Sequence, residues 1–348
     1  MCWPVRPVAS PAVATVLSGI QPTGEPQLGN YLGALRWWVS LQHDHDAFYC
    51  IVDLHALTIP GDPEALRVAT RSMATLLLAA GLDPGRCTLF VQSQVPAHVE
   101  LAWVLQCTAS FAELRRMTQF KDKTAKGGES NSTAGLFTYP ALMAADILAY
   151  RANRVPVGDD QRQHLELTRN LAERFNARYG EVFTIPEPMI ADRGAGARIM
   201  DLAEPTRKMS KSADSAAGTV FLFDEPRAIQ RKIKRAVTDA DDSDDAVRYD
   251  PVSKPGVSNL LDLLGTLTGR TPAEVADGYT RYGPLKADTA AAVIDLLSPI
   301  QERYRALSAD PGAVRDVLEA GAVAARAATA PTAARAYAAI GLSPACEV

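Results

Sequence analysis

Two lysines and two serines stand within five consecutive residues in the second half of the chain, in the run Lys208-Met209-Ser210-Lys211-Ser212. A lysine supplies a compact, mobile positive charge, and a serine supplies a hydrogen-bond donor without adding charge. Together they can follow a polyphosphate as its charge redistributes during a transfer reaction. Short Lys/Ser-rich runs are also common in solvated loops, so this one indicates a phosphate site only if a partner motif lies elsewhere.

A glycine-rich turn near the start of the chain is such a partner. The apolar run Ala14 to Leu17 leads into Ser18-Gly19-Ile20-Gln21-Pro22-Thr23-Gly24 and then into Gln27-Leu28-Gly29-Asn30. This order predicts a strand, a turn and a helix capped by Asn30, whose first amides would face a phosphate. Neither G-x-G-x-x-G after the strand nor G-x-x-x-x-G-K-[ST] occurs, so the motif is not an ordinary dinucleotide or P-loop motif.

The two segments together resemble the paired signature of class I aminoacyl-tRNA synthetases, in which (H/T)-x-G-(N/H) precedes K-M-S-K-S. More narrowly, the chain is similar to bacterial-type tryptophanyl-tRNA synthetases over nearly all its length. The matching runs between and after the two signatures are Val52-Asp53-Leu54-His55-Ala56, Met143-Ala144-Ala145-Asp146-Ile147-Leu148, Val157-Gly158-Asp159-Asp160-Gln161 with Gln163-His164, and Pro299-Ile300-Gln301-Glu302-Arg303-Tyr304. Each run alone is a weak signal, whereas the ordered set is specific.

Length and charge agree with a folded enzyme. The 348 residues suit one large or two moderate domains, and 47% hydrophobic content supports a sizeable core. The formal net charge of −4 argues against a broadly basic nucleic-acid binder, so any RNA contact must come from local patches. No apolar run has the length of a membrane span, and we expect no membrane partner. The cysteines (Cys2, Cys50, Cys87, Cys107, Cys346) form no C-x-x-C pair, which favours free thiols in a reducing cytoplasm.

Strand and helix patterns alternate over roughly the first two thirds of the chain, and helices follow one another thereafter. Strands are predicted at Thr15 to Ile20, Ala47 to Val52, Cys87 to Gln92 and Arg154 to Val157. The helices between them are predicted at Pro63 to Ala80, His98 to Cys107 and Leu136 to Tyr150. Later helices are predicted at Pro226 to Val237, Val257 to Thr268, Pro272 to Tyr279, Pro284 to Ala306 and Pro311 to Thr329.

This order predicts an α/β fold: a doubly wound parallel sheet, as in Rossmann-like nucleotide-binding domains, with a C-terminal α-helical domain. We expect a flexible N-terminal extension at residues 1–12, a catalytic domain at 13–223 and a helical domain at 224–348 that the resemblance assigns to the tRNA anticodon. The last helix has the option of packing back on the catalytic domain. Ligands of such sheets bind beyond the carboxyl ends of the strands.

Asp146 is an acid within an otherwise apolar helix, and it carries the choice of substrate. The indole of tryptophan has one polar atom, an N–H that only donates, so a carboxylate in an apolar pocket would recognise it. An acid at such a place more commonly bridges helices, and the resemblance favours the indole role. It also implies that the other tryptophan-binding residues are Tyr139, Met143, Ile147, Gln161, His55, Val155, Val157 and Leu17.

The resemblance further implies an ATP site, because the expected first step is attack of the amino-acid carboxylate on the α-phosphorus. The residues implied for ATP are Gln21, Gly29, Asn30, Gly158, Asp160, Ile199, Met209, Lys208, Ser210 and Lys211. Those implied for catalysis are Lys208, Lys211, Ser210, Lys123, Gln27 and Asn30. No protein nucleophile is required, since such transfers depend on alignment and charge stabilisation. Mg²⁺ is expected on the ATP phosphates, without a protein ligand.

The remaining partners are tRNA and a second copy of the chain. The basic run Arg227, Arg231, Lys232, Lys234 and Arg235 is the better RNA patch, although basic helix faces are often only solvated. Arg115 and Arg116 are weaker candidates for the acceptor stem. The resemblance implies a homodimer joined through the first lobe, with Ala69 to Ala80 and Leu101 to Cys107 as contacts or as core.

Two departures from the family pattern fall in the site. Gln27 occupies the first position of the N-terminal signature, where histidine or threonine is usual, and Leu17 stands where an aromatic residue is common. These changes suggest a duplicated synthetase with altered kinetics or inhibitor sensitivity. Three alternatives stay open: a tyrosyl-tRNA synthetase, a paralogue that activates tryptophan in an auxiliary role, and a non-catalytic regulatory binding protein of the same shape.

Overall fold

The computed structural model describes residues 13–121, 133–158, 161–189, 199–209 and 216–342. In these residues five parallel strands form one sheet, in the order β3-β2-β1-β4-β5. The strands are β1 Thr15–Ile20, β2 Asp46–Ile51, β3 Cys87–Val91, β4 Arg154–Pro156 and β5 Glu187–Met189. Because all pairs are parallel, the strands end along one side of the sheet, which we call the carboxyl edge.

Strands β2 and β3 are buried along nearly their whole length, in keeping with their mainly apolar sequences. Side chains of a strand point alternately to opposite faces. Along β2, Tyr49 and Ile51 accordingly join one cluster of buried apolar residues, while Phe48 and Cys50 join a second. The first cluster also contains Leu260 of the C-terminal helical region. Both predicted lobes therefore contribute to one core, and the domain boundary near residue 223 stays a prediction.

Helices flank the sheet on both faces and continue beyond it. Before residue 180 they include α1 Leu28–Asn30, α2 Arg36–Leu41, α3 Asp53–Ala56, α4 Pro63–Ala80, α5 Ala97–Thr108, α6 Phe111–Arg115, α7 Ala134–Ala149 and α8 Arg162–Tyr179. Both ends of helix α4 are marked by residues that are recognisable in the sequence. Asp62 caps the start by accepting from the Ala65 N–H at 2.8 Å, and Gly81 ends the helix with φ of 117°.

The helix after the glycine-rich turn is irregular and its cap differs from the prediction. Tyr31–Leu35 forms a π-helical turn between α1 and α2, a rare element that is frequent at functional sites. Gln27, and not Asn30, is the N-cap. Its Oε1 accepts from the Gly29 N–H at 2.6 Å, and Asn30 Oδ1 accepts from the Gln27 N–H at 3.2 Å. Asn30 is thus the reciprocal partner of a capping box, because a glutamine side chain is long enough to fold back on its own helix.

The C-terminal region is helical, as predicted. It contains α9 Pro226–Lys234, α10 Pro255–Thr268, α11 Pro272–Ala276, α12 Tyr282–Ser308 and α13 Pro311–Ala339. The last of these runs back to the sheet and packs on β3 and α5. A Cβ on Gly321 would collide with the carbonyl oxygen of Leu89, so glycine is what allows α13 to lie against this edge strand.

The fold class is confirmed, and the predicted bounds hold within a few residues. Thr15–Ile20 and Pro63–Ala80 coincide with prediction, whereas α13 continues to Ala339 through Pro331. Strand β5 and helix α8 were not predicted. No helix in the described part of the chain combines the length and the apolar character needed to cross a membrane.

Candidate active site

Residues from separate parts of the sequence converge beyond the carboxyl edge. His55 lies on α3, directly after β2; Gln92 follows β3; Asp146 lies on α7. Asp146 and His55 are both buried, with 4% and 6% of their surface exposed. Parallel strand pairing explains the convergence, because β1, β2 and β3 end side by side.

The Asp146 carboxylate is held by three donors. Its Oδ2 lies 2.8 Å from His55 Nε2. Its Oδ1 lies 2.6 Å from His98 Nδ1 and accepts from Gln92 Nε2 at 2.7 Å. Burial favours the neutral acid, but the charges and hydrogen bonds of His55 and His98 hold the pKa of Asp146 well below its usual range. Asp146 is therefore ionised at neutral pH and acts only as an acceptor.

The residues predicted as apolar walls belong to one buried cluster, to which α7 also contributes. Leu17 from β1, Ile147 from α7, and Val155 with Val157 near β4 are buried members of one cluster. Tyr139 and Met143 are partly buried and pack against the same cluster. The ionised Asp146 and the apolar cluster that its helix joins would together suit a flat, mainly apolar group with a single N–H, and the arrangement of these residues as one pocket stays a prediction.

Tyr139 and Gln161 are the predicted partners of the substrate amino group. The Tyr139 hydroxyl lies 2.6 Å from His164 Nε2 and 3.2 Å from Gln119 Oε1. Burial raises the pKa of Tyr139 to about 12, so this hydroxyl stays protonated. Gln161 is half-buried at the N-cap of α8. The tyrosine hydroxyl already has a polar environment, and its role toward an amino group stays a prediction.

The predicted nucleotide residues fall into two groups. Gln21 follows β1 and Gly158 lies close after β4; these strands are neighbours, and both residues are exposed. Gly29 and Asn30 are half-buried in α1, the short helix that begins after the glycine-rich turn. Ile199 and Met209, predicted to flank adenine, are instead core residues with 2% and 1% exposure.

Gln27 differs most clearly from its predicted role. It was expected to donate to a phosphate, but only 3% of its surface is exposed. Its Nε2 donates to the carbonyl oxygen of Met209 at 3.0 Å while its Oε1 caps the helix. Gln27 therefore joins the glycine-rich turn to the Lys208 segment through a buried bond. In this geometry the side chain is almost fully buried, and its role toward a phosphate stays a prediction.

The predicted cations are only partly described. Lys208 is exposed at the end of an antiparallel bridge to Met200. Lys123, Asp160, Ser210 and Lys211 lie outside the described residues.

The basic helix α9 presents most of its charges on one exposed side. Arg227, Arg231, Lys234 and Arg235 are exposed at spacings of four, three and one residues. Lys232 differs from the prediction, because its Nζ contacts Asp224 Oδ2 at 2.6 Å and lies over the Phe221 ring. That pair is largely sheltered, so Lys232 stabilises the local fold and we withdraw it from the RNA patch. Arg115 and Arg116 are exposed near the end of α6.

Three residues of the site were missed from the sequence: Gln92, His98 and Tyr150. Gln92 carried a usable signal, since a polar residue directly after an apolar strand reaches the carboxyl edge. His98 and Tyr150 carried none, because nothing in the local sequence of either residue points to a contact with Asp146. Only the packing of α5 against α7 brings them to Asp146.

Comparison with known proteins agrees with this geometry. The family model described as tRNA synthetases class I (W and Y) matches residues 11–298. A curated tryptophan–tRNA ligase 2 of Streptomyces avermitilis is 55% identical over 95% of this chain and 97% of its own. The tryptophanyl-tRNA synthetase of Mycoplasma pneumoniae, at 36% identity, superposes with a TM-score of 0.85 over 95% of this chain and 98% of that one.

A further solved structure matches at similar coverage. The tryptophanyl-tRNA synthetase of Campylobacter jejuni, complexed with ADP and tryptophan, is 31% identical with a TM-score of 0.80 over 94% of this chain and 100% of that one. A family match across most of the chain, with relatives of this similarity along nearly their whole length, shows that the chain belongs to the class I tRNA synthetases of the tryptophan and tyrosine group.

Proposed function

We propose that the chain is a tryptophan–tRNA ligase that activates L-tryptophan with ATP and then transfers it to tRNA(Trp). The observation that carries the choice of substrate is the ionised, buried Asp146 among aliphatic side chains. A carboxylate accepts the indole N–H, and phenylalanine would leave it without that bond. The relative at 55% identity bears the same activity in its name.

The reaction needs alignment more than proton transfer. An oxygen of the tryptophan carboxylate attacks the α-phosphorus of ATP, the bond from that phosphorus to the bridging oxygen breaks, and pyrophosphate leaves. Gly29, Asn30 and the exposed Lys208 lie in the two signature segments that would meet the phosphates, where Lys208 would supply positive charge. In the second step a ribose hydroxyl of the terminal adenosine attacks the activated carbonyl and releases AMP.

Mg²⁺ would arrive with the nucleotide. Within the described ranges, no three His, Cys, Asp or Glu side chains gather so that they could hold a metal ion. Phosphate oxygens are suitable ligands for Mg²⁺, which commonly keeps several waters. We therefore assign it no protein ligand, and its part would be to offset phosphate charge. We place the reaction in the cytoplasm, because charged tRNA supplies translation.

We assign tRNA binding to the exposed side of α9. Phosphate contacts by arginine and lysine are sequence-independent, and their loss weakens binding. Arg231→Ala with Lys234→Ala should raise the KM for tRNA several-fold and leave pyrophosphate exchange unchanged. Arg67→Ala, which removes an exposed arginine from α4, is the matched control. Equal effects of both changes on charging would remove α9 from the proposal.

The function is tested by amino-acid-dependent pyrophosphate exchange with tryptophan and tyrosine side by side, followed by charging of tRNA. Exchange with tryptophan alone, then charging, is the expected result. Exchange with tyrosine would select the tyrosine-specific member of the family, because the Asp146 carboxylate is also able to accept from a phenol hydroxyl. Pyrophosphate exchange with tryptophan but no charging of tRNA would indicate the auxiliary paralogue. The absence of exchange with either amino acid would indicate a non-catalytic binding protein.

We also propose a homodimer formed through the first lobe. Most of Ala69 to Ala80 is core, which removes it as a contact. Helix α5 presents Val99 and Trp103 with 55% and 68% exposure, one turn apart, and Phe111 of α6 is 68% exposed. Large exposed apolar side chains that lie close together commonly mark an interface.

A further inference from the structure

The two oxygens of the Asp146 carboxylate are not equally occupied. Oδ1 accepts from both Gln92 Nε2 and His98 Nδ1, at 2.7 and 2.6 Å. Oδ2 has only His55 Nε2, at 2.8 Å. An ionised carboxylate offers about four acceptor positions, two on each oxygen. Oδ1 is therefore full, and Oδ2 retains one position.

We propose that His98 and Gln92 are positioning residues for amino-acid selection: by filling Oδ1 they leave one lone pair of Oδ2 as the acceptor for the indole N–H and fix its direction. This inference rests on the proposed function, since it concerns the same carboxylate. Neither residue needs to touch the substrate. His98 and Gln92 have no exposed surface, and both act through Asp146.

His98 is itself held from its other side. Its Nε2 lies 2.9 Å from the hydroxyl of Tyr150, the residue that ends α7. Nδ1 donates to the carboxylate, and Nε2 pairs with this hydroxyl. Burial keeps the pKa of Tyr150 well above its usual value, so the hydroxyl retains its proton. The ring therefore has one orientation that satisfies both neighbours.

Gln92 is fixed in a corresponding way. Its Oε1 accepts from the Leu54 N–H at 3.2 Å, which directs its amide nitrogen toward Asp146. Leu54 precedes His55 on α3, so one glutamine connects the helix carrying His55 to the carboxylate that His55 contacts. The result is a network that reaches Asp146 from α3, β3 and α5. A carboxylate restrained from three elements has little freedom to turn toward a wrongly placed donor.

The test uses tryptophan and an analogue in which sulfur replaces the indole N–H, β-(3-benzothienyl)alanine. The measured quantity is the ratio of kcat/KM for the two in pyrophosphate exchange. His98→Leu should lower this preference for tryptophan about tenfold, by about 1.4 kcal/mol, and should act mainly on the value for tryptophan. His98→Asn keeps an N–H donor near the place of Nδ1 and should restore most of the preference. The KM for ATP should stay near that of the unmodified chain in both.

A merely structural role gives a different result. If His98→Leu lowers kcat/KM equally for tryptophan and the analogue, or if His98→Asn behaves like His98→Leu, the proposal is overturned. Gln92→Met and Tyr150→Phe keep the side-chain volume and supply the same comparison if His98→Leu does not fold. Both should reduce the preference, and an unchanged preference in both overturns the proposal. An unmodified chain that exchanges with both substrates equally would instead refute recognition of the N–H by Asp146.

Discussion

At the scale of single residues, selection depends on Asp146 keeping its charge while it is buried. Two imidazoles make this possible, because each places a donor on the carboxylate where water is excluded. The identity of Asp146 was predictable from one acid in an apolar helix. Its partners were not, since His98 and Gln92 come from other elements and only tertiary packing gathers them.

Asp146→Asn tests the charge with little change in shape. The amide keeps one acceptor oxygen but brings two hydrogens toward donors, so we expect kcat/KM for tryptophan to fall by about a hundredfold, equivalent to roughly 2.7 kcal/mol. The KM for ATP should change little. Asp53→Asn is the matched control, because Asp53 holds Ser93 in an exposed pair. A similar loss in the control would point to a general sensitivity of the carboxyl edge.

Lys208→Ala removes a cation from the segment proposed for the phosphates. We expect the rate of tryptophan-dependent pyrophosphate exchange to fall at least tenfold, because a lysine there stabilises charge on the leaving pyrophosphate. Tryptophan binding, followed by fluorescence or calorimetry, should stay within about twofold. Lys234→Ala serves as the comparison. Equal losses of rate and of tryptophan binding would count against the assignment.

Gln27→Thr converts the signature to a residue that is usual in the family. In this chain the threonine is too short to cap α1 and reach the Met209 carbonyl together, so we expect a higher KM for ATP and a lower kcat, with tryptophan binding kept. Gln42→Thr is the control: Gln42 is also buried and also bridges two backbone groups, at Gly81 and Asp83. It should lower the melting temperature alone. An unchanged KM for ATP in Gln27→Thr would remove any link between this bond and the nucleotide.

At the scale of elements, local sequence signals determine some helix and strand bounds, and long-range contacts determine the others. The bounds of α4 follow from Asp62, Pro63 and Gly81, all readable in sequence. The cap of α1 was assigned to the wrong residue because its geometry depends on a bond to Met209, far along the chain. Strand β5 is short and contains a proline, and its identity comes from pairing with β4. An element whose ends are marked by its own residues, such as α4, was predicted from the sequence. Features that depend on contacts with distant residues, such as the α1 cap and β5, were not.

Helices α6 and α8 are joined by Glu113 and Arg174, which make two bonds at 2.7 and 3.0 Å. The bonds from Arg174 lower the pKa of Glu113 to about 2. Because the folded value lies below the ordinary one, the stabilisation is complete above about pH 4.5 and is lost as the pH falls toward about 2. Glu113→Gln should cost about 1 kcal/mol of unfolding free energy at pH 7 and much less near pH 2.

Denaturant unfolding at several pH values measures this difference. Glu64→Gln is the control, since Glu64 pairs with Arg67 on the open surface of α4 and such pairs contribute little. A pH-independent loss in Glu113→Gln would assign its effect to the capping bond with Ser110 instead.

At the scale of the whole molecule, the exposed apolar side chains of α5 and α6 need a partner surface. Trp103→Glu places a charge at the centre of the proposed interface and should convert a dimer to a monomer in sedimentation velocity. Val252→Glu changes an apolar residue that is 90% exposed elsewhere and should leave the dimer intact. A Trp103→Glu chain that still sediments as a dimer would exclude this face.

The closure of the sheet by α13 bears on when this protein is able to fold. Strand β3 is an edge strand, and the helix that lies against it at Gly321 is the last one in the described part of the chain. Open strand edges pair readily with other chains. During synthesis the sheet is translated long before α13, so the nascent chain carries an unprotected edge until α13 leaves the ribosome. A chain truncated before Gly321 would therefore be prone to aggregate. It would be a substrate for cellular quality control and not a smaller working enzyme.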